Sequence, residues 1–295
     1  MSLCAVVQMV SGPDLDANLQ QMETQVRGAA AAGAQLVLLP ENFALFDASN
    51  LRTLAQQQGR GELQQRLGAL AADLGIWLVA GSVPQMTRAD GSEVGLPRVR
   101  ASCLVFDDQG QVRARYDKRH LFDVEVADAQ SRYAESDYIE PGDRVVLVDT
   151  PCGRLGLSIC YDLRFADHYQ RLRDAGAELI TVPSAFTAVT GAAHWELLLR
   201  ARAVEFQCYV LGANQGGQHG GGRETWGHSL IVDPWGEIQA QLALGPGWCG
   251  ATIDPEVLQR IRRRMPVSEH RLKATANPST SLTPNAVTPP ARAGI

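Results

Sequence analysis

The sequence has no excess of positive charge and no long apolar segment. Its 295 residues include 27 Lys and Arg against 32 Asp and Glu, which gives a net charge of −5. A nucleic-acid surface needs clustered basic side chains to neutralise phosphates, and a membrane-spanning helix needs about 20 consecutive apolar residues. We therefore expect neither a nucleic-acid partner nor a membrane partner.

Motifs for metals, nucleotides and disulfide frameworks are also missing. The six cysteines are scattered without a CxxC pair, and His194 is not part of an HExxH motif. The glycine-rich run at 216–222 lacks the Gly-Lys-Ser/Thr ending of a phosphate-binding loop. The sequence therefore predicts no metal and no cofactor.

Cysteine usage and the amino-terminal residues bear on the compartment. Cysteines placed singly inside apolar runs are typical of proteins in a reducing environment. The first residues lack the basic region and the apolar length of a secretory signal peptide. We expect a cytoplasmic protein.

Hydrophobic patterning indicates one α/β domain over residues 1–273. Apolar runs of strand length alternate with helical periods, which is typical of sheets covered by helices, and no linker interrupts them. From 274 to 295 the composition changes to Thr, Pro, Ser, Ala and Asn. Such a segment buries too little apolar surface to offset the entropy lost on ordering, so we expect a flexible C-terminal tail there.

Local signals place several elements within the domain. A helix is predicted at 61–74, because Gly75 suits the position just after a helix end. An amphipathic pattern predicts another helix at 194–206. The segment 118–144 is long and polar, and we expect it to be a functional loop or a lid.

Cys160 is the first candidate for chemistry. It stands at the end of an apolar run, and a helix is predicted to begin shortly after it. A thiol at a strand-to-helix turn can project into a cleft, where the free N–H groups of the helix start would favour the thiolate. The alternative is a buried cysteine that serves as a small apolar residue.

Two other strand ends deliver charged side chains. Glu41 follows an apolar run and Pro40, which suits a general base. Lys118 follows an alternating strand, and an ammonium group placed beside acidic groups could stabilise an oxyanion. Either residue taken alone could be a solvated loop residue.

In the order glutamate, lysine, cysteine, and within LLPENF, YDKRHLFD and GLSICYDLRF, these segments resemble the nitrilase, or carbon–nitrogen hydrolase, superfamily. The segments NQGG, GRETW and RRRMPV are most similar to its deaminated glutathione amidase branch. The resemblance implies a four-layer α-β-β-α sandwich in a single domain. It also implies pairing of two copies as a homodimer, or assembly into a higher homo-oligomer.

The resemblance further implies residue roles in the hydrolysis of a linear amide. Cys160 would attack the carbonyl carbon and form a thioester, and Glu41 would transfer the protons. Lys118 would hold the oxyanion, and Glu135 matches the position of a second acidic residue that orients the lysine and the substrate. The residues expected to bind substrate are Tyr161, through its N–H in the oxyanion site, Arg164, Thr190, His194 and Arg223.

Substrate choice depends on finer details. Arg164 could bind a substrate carboxylate in bidentate fashion, or it could form a structural ion pair with an acidic neighbour such as Asp162. The branch implies that deaminated glutathione is hydrolysed to 2-oxoglutarate and cysteinylglycine, a form of metabolite repair. The alternatives are an omega-amidase acting on 2-oxoglutaramate and an N-carbamoyl amino acid amidohydrolase.

Two readings from other classes remain open at this point. In a Cys–His peptidase, His120 or His228 would be the base, although the CGSCW signature around the cysteine is absent. A non-catalytic dimeric binding module would have no evident use for the combination of Glu41, Lys118 and Cys160.

Overall fold

Two six-stranded sheets form the centre of the molecule. The computed structural model describes residues 1–57 and 61–272. The strands are β1 (Ser2–Gln8), β2 (Leu36–Leu38), β3 (Trp77–Gln85), β4 (Arg100–Phe106), β5 (Val112–Asp117), β6 (Asp123–Glu125), β7 (Arg132–Ala134), β8 (Leu147–Thr150), β9 (Gly153–Leu157), β10 (Leu179–Ser184), β11 (Tyr209–Asn214), β12 (Leu230–Val232), β13 (Ile238–Gln241) and β14 (Gly247–Ile253). The sheet orders are β14-β1-β2-β3-β4-β5 and β13-β12-β11-β10-β9-β8, and β6 pairs with β7 alone.

Helices cover the outer faces of both sheets. The helices of the described residues are α1 (Leu15–Ala31), α2 (Leu51–Gln57), α3 (Glu62–Leu74), α4 (Ala166–Asp174), α5 (Ala188–Phe206), α6 (Pro255–Arg264) and α7 (Val267–His270). Helices α1 and α3 pack on the first sheet, whereas α4 and α5 pack on the second. Strands β1 and β3 of the first sheet contact β11 and β10 of the second. The expected four-layer α-β-β-α sandwich is confirmed.

The period of two in the strand sequences produces this layering. In β1, Cys4 and Val6 belong to the core between the sheets, whereas Ala5 and Val7 belong to the core beneath α1 and α3. Because both faces of the inner strands are buried, these strands are apolar throughout. The near-continuous apolar runs in the sequence therefore mark the centre of each sheet.

The strand directions bring several chain ends to one edge. β1, β2 and β3 run parallel, as do β9, β10 and β11. The carboxyl ends of parallel strands meet at the same edge of a sheet, and binding sites of α/β folds form there. Glu41 follows β2 and Cys160 follows β9 at these ends.

Helix α3 confirms the sequence-based prediction, because it spans Glu62–Leu74 and Gly75 ends it in a left-handed conformation with φ 61°. Helix α5 differs, since it begins at Ala188 rather than at residue 194. Gly191 obscured this start because glycine lowers helix propensity. In the structure a Cβ at that position would lie 2.1 Å from the Trp226 side chain, so close packing requires the glycine.

The segment 118–144 is more ordered than a loop. It contains the β6–β7 hairpin and a short 3₁₀ turn, Glu135–Asp137. Three-residue strands give too weak a pattern to be recognised in sequence.

In the described ranges, no helix has the length and apolar character needed to cross a membrane. The flexible tail expected at 274–295 lies outside the described residues.

Candidate active site

A buried lysine joins two carboxylates at the edge of the sandwich. Lys118 Nζ lies 2.8 Å from Glu41 Oε1 and 2.8 Å from both carboxylate oxygens of Glu135. The lysine side chain is only 2% exposed. The Cys160 thiol lies in the same cleft as these side chains, where burial and the Glu41 carboxylate raise its pKa and the Ala185 N–H lowers it. The structure thus brings all four predicted catalytic residues together, and all four line one cleft.

Glu41 is placed by the close approach of β2 and β3. The chain continues past β2 with the Leu39 N–H bonded to the Val79 carbonyl, 2.9 Å. A Cβ on Gly81 would lie 2.1 Å from the Pro40 carbonyl oxygen, so only glycine permits this approach. The strand end that carries Glu41 is therefore held by β3.

Lys118 and Glu135 are placed by backbone hydrogen bonds. The Lys118 N–H donates to the Ala101 carbonyl at 2.9 Å, and the Lys118 carbonyl accepts from Gly142 at 2.7 Å. The Glu135 carboxylate also accepts from the Phe122 N–H at 2.7 Å. The segment from Lys118 to Gly142 therefore folds back on itself, so that the Glu135 carboxylate faces the Lys118 ammonium group.

Cys160 occupies a strained turn. It begins the 3₁₀ turn Cys160–Arg164 with φ 47°, a conformation that L-residues other than glycine adopt rarely. Strained nucleophiles at strand-to-helix turns present their reactive atom to a cleft. Among the described residues, no backbone carbonyl accepts from the Tyr161 N–H, so this donor is free to face a developing oxyanion.

The charges in this cluster are strongly coupled. Burial alone would lower the pKa of Lys118, but the carboxylates of Glu135 and Glu41 outweigh it and hold that pKa well above its ordinary value. Burial raises the pKa of Glu135, partly opposed by Lys118. The lysine is therefore a fixed positive charge.

The sequence predicts that the helix start favours the thiolate of Cys160, but the surroundings in the structure raise the pKa of its thiol. Burial and then the Glu41 carboxylate raise the pKa of its thiol, and Lys118 and the Ala185 N–H compensate only in part. The turn that follows is five residues of 3₁₀ helix, too short for a large helix dipole. The sulfur must lose its proton to a base during attack.

The cleft above the sulfur spans about 690 Å³ of space that is partly open to solvent, and Tyr161, Arg164, Thr190 and Arg223 line it. His194 is not among its lining residues. Its Nδ1 lies 3.3 Å from both terminal nitrogens of Arg164, so it stands behind that arginine. Any effect of His194 on binding would pass through Arg164.

Arg164 does not pair with Asp162, so that alternative is wrong. Its guanidinium lies 5.8 Å from the Tyr161 ring centre and 5.4 Å from that of Phe186. Asp162 instead accepts hydrogen bonds from other segments. Within the described residues, the hydrogen-bond partner of the Arg164 guanidinium is His194.

Arg223 also lines the cleft, where it stacks on an aromatic ring. Its guanidinium lies 4.4 Å from the Phe46 ring centre, and Phe46 stacks on His219 at 3.9 Å. The Arg223 Nε atom is buried and has no hydrogen-bond partner in the described part of the chain. His219 is fixed by Ser11 O and Thr225 Oγ1, each 2.7 Å from a ring nitrogen.

Sequence reasoning missed the aromatic lining of the cleft. The lining residues it did not identify include Phe46, Phe122, Tyr133, Tyr138 and Phe186. They come from four separate segments, and no spacing in the sequence marks them as a group. The one feature that could have identified them in the sequence is a position close to a catalytic motif, as for Phe122, which lies four residues after Lys118.

The histidines proposed for a Cys–His peptidase do not line the cleft. His120 Nδ1 lies 2.6 Å from Asp162, and its ring stacks on Phe165. His228 stacks on Trp226. In the described ranges, no group of three or more His, Cys, Asp and Glu side chains is arranged to hold a metal ion.

Comparison with known proteins agrees with this geometry. Residues 3–263 match the family model described as Carbon-nitrogen hydrolase. The chain is 46% identical over 267 residues to the deaminated glutathione amidase of Yersinia enterocolitica, and the match covers 90% of this chain and 91% of that protein.

Solved structures with similar folds include two informative cases. The Caenorhabditis elegans NitFhit protein, a nitrilase and fragile histidine triad fusion, gives a TM-score of 0.83 at 39% identity. The match covers 92% of this chain but 65% of the NitFhit chain. A glutamate-to-glutamine mutant of a Nesterenkonia amidase gives 0.74 at 27% identity, covering 91% of this chain and 100% of that one; acrylamide has added to its active-site cysteine.

Acid should weaken the folded protein through His219. Burial lowers the pKa of His219 to about 4, whereas an unfolded histidine has a pKa of about 6.5. Between these values the unfolded state binds a proton that the folded state does not, so the free energy of unfolding falls as the pH falls. We expect a loss of up to about 3 kcal/mol from this residue, measured by urea unfolding between pH 7 and pH 4.

The matched variant is His219→Gln, which has no proton to gain in this range. Carboxylates titrate in both proteins, so the informative quantity is the difference between the two pH profiles. Parallel profiles for wild type and variant would show that His219 does not contribute.

Proposed function

Because this chain belongs to the carbon–nitrogen hydrolase family and is an amidase of the nitrilase superfamily, we propose that it cleaves a linear amide bond through a thioester on Cys160. One observation carries this proposal. The thiol, the Glu41 carboxylate and the Lys118 ammonium converge in one buried cluster at the floor of a cleft. An amide needs a strong nucleophile, a stabilised oxyanion and a proton for its nitrogen, and this cluster can supply all three.

Acylation begins with the proton on sulfur. Glu41 accepts the thiol proton as Cys160 Sγ attacks the carbonyl carbon. Because the two events occur together, no free thiolate has to form first. The charge moves to the carbonyl oxygen, where Lys118 and the Tyr161 N–H stabilise it. Glu41 then donates its proton to the departing nitrogen, and the C–N bond breaks to leave a thioester.

Deacylation uses the same groups in reverse. Glu41 takes a proton from water, and the resulting hydroxide attacks the thioester carbonyl. The C–S bond breaks and the proton on Glu41 returns to sulfur. Glu135 keeps Lys118 in place through both steps, because it contacts the ammonium with both carboxylate oxygens.

Replacing the nucleophile should abolish turnover without unfolding the protein. We expect Cys160→Ala to lose all amide hydrolysis, since no other group in the cluster can form the thioester, while its thermal unfolding stays cooperative. The measurement is ammonia or amine release, together with circular dichroism. Cys249→Ala is the matched control, because Cys249 does not line the cleft, and it should keep wild-type turnover.

Turnover retained by Cys160→Ala, or loss of activity that accompanies unfolding, would refute the proposed nucleophile. Loss of activity in the Cys249 control would point to a general effect of removing a thiol.

We further propose that the substrate carries carboxylates, with deaminated glutathione as the first choice. Arg164 and Arg223 present two guanidinium groups to the cleft, and such groups bind carboxylates strongly. Deaminated glutathione has a carboxylate at each end, and hydrolysis of its internal amide would release 2-oxoglutarate and cysteinylglycine. Support also comes from the Yersinia relative, which is named as a deaminated glutathione amidase.

A panel of amides tests this choice. We expect kcat/KM to be highest for deaminated glutathione, compared with 2-oxoglutaramate, an N-carbamoyl amino acid and acetamide. Arg164→Lys should raise KM about tenfold for carboxylate substrates, because an ammonium cannot replace a bidentate guanidinium. KM for acetamide, which has no carboxylate, should change little.

Faster hydrolysis of 2-oxoglutaramate would replace this assignment with an omega-amidase. An equal effect of Arg164→Lys on acetamide would show that the arginine does not act on a carboxylate.

We also propose that two copies pair through the outer face of α5. Val189, Leu197 and Val204 are 45%, 65% and 50% exposed and fall on one side of the helix. Trp235 lies beside this face, because Arg200 of α5 donates a hydrogen bond to the carbonyl of the neighbouring Gly236. The Trp235 side chain is 57% exposed. Large apolar side chains grouped in this way are typical of protein interfaces.

Sedimentation equilibrium tests the pairing. We expect wild type to form dimers and Leu197→Glu to shift toward monomers, because a buried unpaired carboxylate is costly. Leu96→Glu changes a leucine outside α5 that is even more exposed, at 78%, and should remain dimeric. A monomeric wild type, or dissociation by the Leu96 change, would contradict an α5 interface.

The cytoplasmic location stays part of this proposal. All six cysteines are free thiols, as in proteins of reducing compartments. Recovery of the protein in a membrane or secreted fraction of its host would contradict it.

A further inference from the structure

We propose that Asp162 is the positioning residue that sets Cys160 against Lys118. Its carboxylate is fully buried and contacts the chain on both sides of the site. Oδ2 accepts from the Ile159 N–H at 2.8 Å, and Ile159 directly precedes the nucleophile. Oδ1 accepts from the His120 N–H at 3.0 Å, two residues after the lysine.

Two side chains complete the set of donors. The Tyr116 hydroxyl lies 2.6 Å from Oδ2, and His120 Nδ1 lies 2.6 Å from Oδ1. Each carboxylate oxygen therefore has one backbone N–H and one side-chain partner. Tyr116 and His120 flank Lys118 at equal distance along the chain, so Asp162 holds the lysine segment at both ends.

Only a carboxylate can serve both backbone donors. The tyrosine hydroxyl can rotate and the imidazole can change tautomer, but the two backbone N–H groups always donate. They lie on different oxygens of Asp162. An asparagine has one oxygen, so it would leave either the Ile159 or the His120 N–H facing an NH₂ group.

This arrangement matters because the nucleophile turn is strained. Cys160 has φ 47°, and such a conformation persists only where neighbouring contacts hold it. The backbone bond to Ile159 holds the chain on one side of the cysteine, and Asp162 itself lies on the other. Without the bond between Asp162 and the Ile159 N–H, the turn can relax, and the Cys160 sulfur moves relative to the oxyanion site.

The charge cluster has its own contacts besides the bonds that Asp162 makes to the lysine segment. Lys118 keeps its contacts with Glu41 and Glu135, which come from other segments. Arg164 is held separately by His194 and two aromatic rings. Loss of the Asp162 bonds should therefore change the geometry of attack more than the binding of substrate.

Asp162→Asn is the direct test. We expect kcat to fall about 10- to 100-fold with KM within about threefold of wild type, because small misplacements of a nucleophile cost about this much. The matched control is Asp233→Asn. Asp233 accepts from the N–H groups of Trp235 and Glu237 on Oδ1, at 2.9 Å each, so an asparagine can keep both backbone bonds. It would lose only the bond that Gln239 Nε2 donates to Oδ2 at 3.1 Å, and because Asp233 does not line the cleft, kcat should not change.

A second readout does not require turnover. Acrylamide has added to the active-site cysteine of a glutamate-to-glutamine mutant of the Nesterenkonia amidase, so its rate of addition to Cys160, measured in a Glu41→Gln background, reports the sulfur itself. We expect Asp162→Asn to slow this addition, measured by mass spectrometry, and Asp233→Asn to leave it unchanged.

The positioning role of Asp162 rests on the proposed chemistry at Cys160, but different results would refute the role and the chemistry. An inactive wild type with unchanged labelling in the variants would refute both, whereas an active wild type with an equally active Asp162→Asn refutes only the positioning role.

Other results decide the case as follows. An effect confined to KM, or an equal fall of kcat in Asp233→Asn, overturns the positioning role. Should Asp162→Asn fail to fold, Tyr116→Phe removes one donor from Oδ2 and should lower kcat about threefold at constant KM. Wild-type kcat in that variant would also overturn it.

Discussion

The buried ion cluster of Lys118, Glu41 and Glu135 is the constraint on which the rest of the site depends. An ammonium group that is 2% exposed is stable only with charged partners at close range, and two carboxylates at 2.8 Å provide them. The three residues come from the end of β2, the end of β5 and the turn after β7. Pairing the charge therefore also fixes the geometry of three chain segments.

Burial and, after it, the same cluster raise the pKa of the Cys160 thiol. The Glu41 carboxylate beside the sulfur disfavours a second negative charge, and Lys118 offsets this only in part. During attack the negative charge forms on the substrate oxygen instead, where Lys118 can stabilise it. The site is thus complementary to the transition state rather than to a charged resting cysteine.

The charge cluster forms the floor of the cleft. Other lining residues are arginines that stack on aromatic rings. Arg164 lies over Tyr161 and Phe186, and Arg223 over Phe46. Rings hold a guanidinium in place without neutralising it, as a carboxylate partner would. This leaves both guanidinium groups able to bind an anionic ligand, which is the physical basis for expecting carboxylates on the substrate.

The sequence by itself determined what depends on neighbouring residues. Strand periodicity and the Gly75 helix end are local, and they predicted an α/β domain. The motifs around Glu41, Lys118 and Cys160 are also local; they carry the resemblance that implied the sandwich, and the structure brings these three residues to one cleft. Only the tertiary structure decided the state of the thiol, the partner of Arg164, the place of His194 behind it, and the bonds of Asp162 to both sides of the site. Asp162 bonds residues 116 and 120, more than 40 positions away. Such properties arise from burial and from contacts between distant segments, and no local pattern encodes them.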